Sequence, residues 1–207
     1  MRIGPKYKIS RRLGEAVFSK TQTPRYAMVE GKKKQNLQKR RKHRSNLTEY
    51  GIQLLEKQKL RYTYGVSERQ LSNYISKAKG KRGESPAAIV YKMLENRLDN
   101  VVYRLGLTPT RQFARQVVTH GHITVNSKRV NVPSYQVRKG DKISIRESSR
   151  GNSIFKEKAK ALAEFASPAW LRMEPQGLVA EITGEPKMGA QEAHLNFAMV
   201  VQFYSRV

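Results

Sequence analysis

Arg111 and Arg115 stand four residues apart, Gln116 and His120 follow, and Phe113, Val117 and Val118 fall between them. A helical period puts the two guanidiniums on one surface and the apolar side chains on the opposite one. Such a face can grip phosphate through charge-assisted hydrogen bonds. An ordinary solvated helix face has the same local look, so the charge of the whole chain decides between the two. Among 207 residues, 41 Lys and Arg stand against 16 Asp and Glu, a formal charge of +25. That excess opposes compaction by self-repulsion unless a polyanion neutralises it, and a nucleic acid is the partner it predicts.

Other chemistry finds less support. His120 and His122 are two apart with no cysteine or carboxylate cluster beside them, so neither a metal site nor a cofactor is expected. With no cysteine in the chain there is no disulfide framework and no thiolate zinc site. No phosphate loop, nucleophile elbow or serine, histidine and aspartate set occurs, and the expectation is a protein that is not an enzyme. Asn46, Leu47 and Thr48 match a glycosylation acceptor, a pattern that is idle outside a secretory route. The opening carries no apolar signal region, and no apolar stretch is long enough to cross a bilayer. A cytoplasmic protein without a membrane partner is expected.

The elements that must position the basic face follow from period and caps. Thr48 can cap a helix carrying Ile52, Leu55 and Lys59, and Ser67 with Gln70 forms a capping box before Leu71, Tyr74 and Ile75. Ser85 and Pro86 start a long helix whose apolar face runs Ile89, Val90, Met93, Leu94, Leu98, Val101, Val102 and Leu105, with Gly106 ending it. Thr110 opens the basic helix, which closes near Gly121. The period then changes to two: Ile123 and Val125, a turn at Asn126 and Ser127, an extended run with Val130, Val132 and Tyr135, and Ile143 with Ile145, whose other face shows Lys142, Ser144 and Arg146. Residues 154–166 read as helix up to Pro168, and two weak strand signals, around 178–182 and 196–204, finish the chain.

Charge is unevenly placed. Residues 1–48 hold 15 basic and 2 acidic side chains, residues 49–150 hold 20 and 8, and residues 151–207 hold 6 of each. The polyanion-facing surface is therefore expected in the first 150 residues, and the neutral, apolar C-terminal tail against protein. Residues 1–47 show no sustained apolar period and are predicted to fold only on the partner. Tyr50, Tyr62, Tyr64 and Tyr74 alternate with Lys57, Lys59, Arg61 and Arg69, which suits base stacking and phosphate contact, Tyr74 being expected in the core.

Longer stretches carry a resemblance. LEKQKLRYTYGVSERQL at 55–71, LENRLDNVVYRLG at 94–106, TRQFARQVVTHGHITVNSKRVNVPSYQV at 110–137, VVQFYSRV at 200–207 and the opening IGPKYKISRRLG together resemble the bacterial-type small-subunit ribosomal protein number four family. The unit from RLDN to SYQV is also shared with tyrosyl-tRNA synthetases, pseudouridine synthases and a heat-shock ribosome-binding protein. In the synthases the triplet at Arg97, Leu98 and Asp99 surrounds a catalytic aspartate. The residues after 150 are too few for the catalytic sheet domain such an enzyme needs, and Asp99 reads instead as a helix charge paired with Arg97 or Arg104.

The resemblance implies an α+β protein: a mainly helical discontinuous domain, residues 48–87 and 153–207, with a two-helix plus small antiparallel sheet RNA-binding domain inserted at 88–152, preceded by the basic extension 1–47. It implies a ribosomal constituent that binds small-subunit rRNA at a multi-helix junction in the 5′ domain early in subunit assembly. Contacts with ribosomal proteins five and three, the first tied to decoding accuracy, and with messenger RNA where it enters the ribosome belong to the same expectation, in a cytoplasmic or organellar ribosome and without homo-oligomers. Arg40, Arg41, Lys42 and Arg44 fall where the family's channel-facing basic residues occur. The chain departs from many relatives in lacking an N-terminal zinc-binding cysteine cluster, and residues 20–47 diverge from the common pattern. The side chains expected to meet RNA are Arg11, Arg12, Lys32, Lys33, Lys34, Lys39, Arg40, Arg41, Lys42, Arg44, Lys57, Lys59, Arg61, Tyr64, Arg69, Arg97, Arg104, Thr110, Arg111, Arg115, Gln116, His120, His122 and Lys128.

Overall fold

The structure is a computed structural model that describes residues 3–40 (33–40 by backbone), 47–152, 155, 167–174, 179–189 and 194–206. It is α+β, and the chain divides into two compact units: Met1–Gly80 with Glu192–Val207, and Lys81–Gln191.

The first unit is helical. Helix α1 (Lys6–Leu13) ends at Gly14, and a 3-10 turn (Ser19–Thr21) leads to α2 (Pro24–Arg40). Leu13 and Phe18 are buried, Phe18 meets the Tyr62 ring edge-on at 6.0 Å, and Lys59 binds Glu15 at 2.6 Å. Over its described part this basic segment, in which the sequence shows no sustained apolar period, carries α1, the 3-10 turn and α2. Two apolar anchors and one ion pair hold it, too few to show as a period. Helix α3 (Glu49–Tyr64) starts where Thr48 Oγ1 accepts from the Gly51 amide, and α4 (Glu68–Lys79) starts in the expected box between Ser67 and Gln70. The C-terminal helix (Phe197–Arg206) packs on α3 and α4.

That last helix replaces the strand expected around 196–204. Phe197, Val200 and Phe203 are the buried positions, and their spacing of three is helical. Tyr50 packs on Phe203 with ring centroids 5.5 Å apart, and Lys57 Nζ lies 4.6 Å from the centre of the Phe203 ring.

In the second unit, helices α5 (Pro86–Glu95), α6 (Leu98–Arg104) and α7 (Arg111–Thr119) accompany a five-stranded antiparallel sheet. Its strands are β1 (Ile123–Val125), β2 (Lys128–Arg129), β3 (Lys142–Ile145), β4 (Leu171–Met173) and β5 (Val179–Ile182), in the order β2-β1-β3-β5-β4. A one-turn helix, α8 (Glu147–Arg150), follows β3. Leu98, Val101 and Leu105 of α6, Ala114, Val117 and Val118 of α7, and Ile123, Val125, Ile143, Ile145, Ala180 and Ile182 of the sheet form one core with Phe155 and Trp170. Asn126 and Ser127 adopt positive φ (50° and 65°), the tight two-residue turn their types favour between β1 and β2.

Two expectations change here. The sheet recruits β4 and β5, so residues 167–189, as far as described, belong to the inserted unit and not to the helical one. Residues 81–87 join them, because Ser85 caps α5 and Glu84 pairs with Lys92 of that helix. The long helix expected over 86–105 is two. At Arg97 the backbone is extended (φ −69°, ψ 135°), and residues 133–137 run across the break. Leu98 N donates to Tyr135 O at 2.9 Å, Val137 N to Asn96 O at 2.9 Å and Gln136 Nε2 to Met93 O at 3.1 Å, so a crossing strand takes up the groups the helix releases. The helix expected at 154–166 lies outside the described residues except for Phe155.

Candidate RNA interface

The break between α5 and α6 builds the site. Glu95, the last residue of α5, is fully buried, and its carboxylate accepts from Arg104 Nε (2.8 Å) and Nη2 (2.9 Å) and from Asn100 Nδ2 (2.9 Å). Asn100 also donates to Glu95 O at 3.1 Å, which leaves its own Oδ1 facing α7, where Arg111 Nε donates to it at 2.7 Å. The Arg111 guanidinium carbon lies 4.5 Å from the centre of the Tyr103 ring. Two contacts thus hold one arginine, in-plane and over a π face.

Asp99 does the same for the second arginine. Its carboxylate accepts from Arg97 Nε at 3.0 Å and Nη2 at 2.7 Å, and Arg115 Nη1 stands 3.9 Å from Oδ2. The pairing of Asp99 with Arg97 is as expected; Arg104 serves Glu95 instead. The same carboxylate thus faces both Arg97 and Arg115, and ties α7 to α6.

On α7 the Thr110 Oγ1 cap accepts from the Phe113 amide at 3.2 Å, with Ala114, Val117 and Val118 buried and Gln112, Gln116 and His120 exposed. Arg111 and Arg115 are half-buried. At the C-terminal end, His120 O accepts from Arg129 Nη2 at 3.4 Å, and His122 Nδ1 meets Ser149 Oγ at 2.9 Å. Burial pushes the His122 imidazole below its ordinary pKa, helped by His120, Arg129 and Arg146. Near neutral pH it is therefore an uncharged hydrogen-bonding group among cations. This arrangement can bind a chain of phosphates, the arginines supplying charge and the amide and imidazoles hydrogen bonds.

Residues 96–143, which hold this site, match the family described as the S4 domain, and residues 1–95 match the Ribosomal protein S4/S9 N-terminal domain. The chain is 45% identical over 208 residues to the small ribosomal subunit protein uS4 of Roseiflexus castenholzii, covering 99% of this chain and 98% of the relative. This chain belongs to the uS4 family. The proteins of the same name from Listeria monocytogenes and Geobacillus stearothermophilus are 42% and 44% identical, each aligned over 98% of both chains.

For a uS4 chain the structure sorts the expected RNA contacts by exposure. It removes Tyr64 and Arg97: Tyr64 is 3% exposed in the helical core, and Arg97 is wholly buried against Asp99. Lys57, Lys59, Arg61 and Arg104 each pair with a carboxylate of the same chain. Lys57 and Arg61 bind Glu68 at 2.8 and 3.1 Å, Lys59 binds Glu15 and Glu56 at 2.6 and 2.7 Å, and Arg104 forks Glu95. Tyr74 is only partly buried where full burial was expected.

Arg12, Lys32, Arg69, Gln116, His120 and Lys128 are exposed, and so is Arg11, paired with Glu30 at 3.0 Å. Lys33, Lys34, Lys39 and Arg40 are described as backbone of α2, and Arg41, Lys42 and Arg44 lie outside the described residues. Sequence reasoning missed Glu95, Asn100 and Tyr103, which position Arg111. The signal was there: a glutamate and an asparagine five apart on an apolar stripe must satisfy each other once buried.

Proposed function

We propose that this chain is a structural, non-catalytic RNA-binding constituent of the small ribosomal subunit, with α7 of the S4-domain unit gripping rRNA phosphates. The observation that carries this reading is the placing of Arg111 and Arg115, half-buried on α7 and held by buried Asn100 and Asp99, on a chain of charge +25. Arginines already held in place lose little side-chain freedom when they meet phosphate. Recognition is by shape and charge, since A-form helices hide their major-groove edges.

In finer detail, the RNA is a multi-helix junction in the 5′ domain of small-subunit rRNA, bound early in assembly. Ribosomal proteins five and three are neighbours, and the contact with five bears on decoding accuracy. The basic N-terminal residues Lys32, Lys33, Lys34, Lys39, Arg40, Arg41, Lys42 and Arg44 line the channel by which messenger RNA enters. Arg11, Arg12, Arg69, Thr110, Gln116, His120, His122 and Lys128 add contacts to rRNA. The protein works as a single copy in a cytoplasmic ribosome and needs no cofactor. The family membership and the basic N-terminal half support these points.

The deciding experiment measures binding of the full chain to a 5′-domain rRNA transcript across a potassium chloride series. Log affinity is expected to fall by about 0.7 to 0.9 per phosphate contacted for each log unit of salt. A slope near zero overturns the reading. Mass spectrometry of purified small subunits should count one copy each, and sub-stoichiometric occupancy would point to a visiting factor.

A further inference from the structure

The two ring nitrogens of His122 have different surroundings. The backbone of the residue is tied on both sides: its amide donates to Val117 O of α7 at 3.2 Å, and its carbonyl accepts from the Arg146 amide at 2.9 Å. The ring meets the buried Phe155 ring edge-on, with centroids 6.1 Å apart. Nδ1 lies 2.9 Å from Oγ of Ser149, which belongs to the one-turn helix α8. Among the described residues, the buried side-chain polar atoms without a partner are Gln53 Oε1 and Arg61 Nε. His122 Nε2 has no described partner either, and is therefore open to solvent.

Ser149 decides which nitrogen carries the ring proton. The residue is buried, its amide donates to Arg146 O at 2.8 Å, and its carbonyl accepts from the Asn152 amide at 3.1 Å, so α8 holds the hydroxyl beside the imidazole. Among the described residues, His122 Nδ1 is the acceptor that this hydroxyl meets. A buried hydroxyl gives its proton to an acceptor where one is in reach. Were the ring proton on Nδ1, it would point at Oγ and strand the hydroxyl proton. The hydroxyl therefore donates to Nδ1, and the proton of the neutral ring sits on Nε2, the open side.

We infer that Ser149 is a positioning residue for the RNA site of α7: it selects the Nε2–H form of His122, which presents a neutral hydrogen-bond donor to an acceptor oxygen of the RNA. This deepens the reading of the chain as an rRNA-binding protein and rests on it. The donor differs in kind from the arginines of α7. Guanidiniums on phosphate displace counterions, whereas a neutral N–H adds direction without charge. The same hydroxyl keeps the ring neutral, because a second proton on Nδ1 would turn Ser149 into an acceptor and leave its own proton buried and unpaired. His120 at the end of α7, Arg129 of β2 and Arg146 after β3 are the charged or titratable groups that bear on the ring, and all three also oppose that proton.

The first measurement needs no variant. The full chain, labelled with nitrogen-15 histidine, is read free in solution by long-range nitrogen–proton correlation at about pH 7.5, where the nitrogen shifts identify the tautomer. H122Q assigns the signal by its loss. The Nε2–H pattern is expected. An Nδ1–H pattern, or an even mixture of the two, overturns the proposal.

The second uses the full chain and the 5′-domain rRNA transcript. S149A is expected to weaken binding about threefold to tenfold at about pH 7.5 with the salt slope unchanged, since no charge is lost. The gap from wild type should close as pH falls toward about 6, where the released ring takes up its second proton and both nitrogens donate. In an H122Q background, whose amide donates without help from residue 149, S149A should cost nothing further. A serine that only supports the fold gives one loss at every pH and in both backgrounds, and that result overturns the proposal, as does S149A binding like wild type. Should S149A melt before it can be assayed, the tautomer of the wild type decides alone. Absence of salt-dependent binding by the wild-type chain strikes the rRNA reading, which the tautomer of the free chain leaves untouched.

Discussion

Asn100 Oδ1 accepts the Nε proton of Arg111 at 2.7 Å, and the same asparagine donates its amide to Glu95, so a buried carboxylate sets the direction of a surface guanidinium. The chain of contacts runs from core to solvent through one side chain with both a donor and an acceptor. An aspartate at 100 would lose the donor to Glu95, and a leucine would lose both bonds.

Asn100→Ala is therefore expected to weaken rRNA binding severalfold although residue 100 is buried. Its effect should overlap that of Arg111→Ala, with a double-mutant coupling of about 1 kcal/mol measured by filter binding. Strict additivity of the two changes would show that Asn100 acts only on stability.

Arg111→Ala with Arg115→Ala removes two phosphate ligands from α7. The salt slope should fall by about 1.4 to 1.8, and affinity with it, while the helix remains, because alanine favours helix and the buried face of α7 is untouched. Unchanged binding by the pair would take α7 out of the interface.

Much of this was readable beforehand, and the failures have physical causes. The spacing of Arg111, Arg115, Val117 and Val118 alone predicts an amphipathic helix with its basic side outward, and α7 is that helix. Caps at Thr48, Ser67, Ser85 and Thr110 are side-chain events within four residues, so they are local and legible. The break at Arg97 is not, because residues 133–137 impose it and an apolar stripe continues across it without interruption. Nor does a lysine or arginine declare whether a carboxylate awaits it: Arg97 and Arg115 look alike in sequence, and only the fold makes one wholly buried and the other half-open. The 196–204 segment read as strand because its apolar run fits either period, and packing against α3 chose the helix.

Arg97 makes a direct prediction about that difference. Arg97→Met leaves the Asp99 carboxylate buried without its forked partner, and removing one member of such a pair costs about 3 to 5 kcal/mol. The combined change Arg97→Met with Asp99→Leu should recover most of it, since no charge is then left alone. Urea denaturation of the three proteins checks the order. A single variant as stable as the wild type would show that the pair does not brace the fold.

Gly121 sits at φ +72°, and a Cβ built there would overlap the guanidinium of Arg129. Gly121→Ala must therefore adopt a left-handed conformation and displace Arg129 from the His120 carbonyl it binds at 3.4 Å. A loss of about 1 to 2 kcal/mol is expected from the backbone alone. Because Arg129 can swing at its far end, the steric part should add little, so Gly121→Ala with Arg129→Ala ought to melt close to the Gly121→Ala protein. A large rescue by the second change would put the steric clash first.

Glu68 shows how the helical unit ties its C-terminal helix down. Burial by itself raises a carboxyl, but Lys57 at 2.8 Å, the Tyr204 hydroxyl at 2.5 Å and Arg61 at 3.1 Å all donate to Glu68, and the balance leaves its pKa below the ordinary 4.5. Burial and the same contact push the Tyr204 phenol up, so it remains a donor at any physiological pH. A carboxyl with a depressed folded pKa contributes stability in full above its unfolded pKa. That contribution begins to fade as pH drops below about 4.5 and is gone once pH falls under the folded value. Glu68→Gln keeps the shape and removes the charge. With the carboxylate partly open to solvent, a loss of about 1 to 2 kcal/mol at pH 7 is expected. Thermal melts from pH 7 down to pH 3 should show the two proteins converging below pH 4.5, and a gap that persists in acid would assign the loss to packing instead of charge.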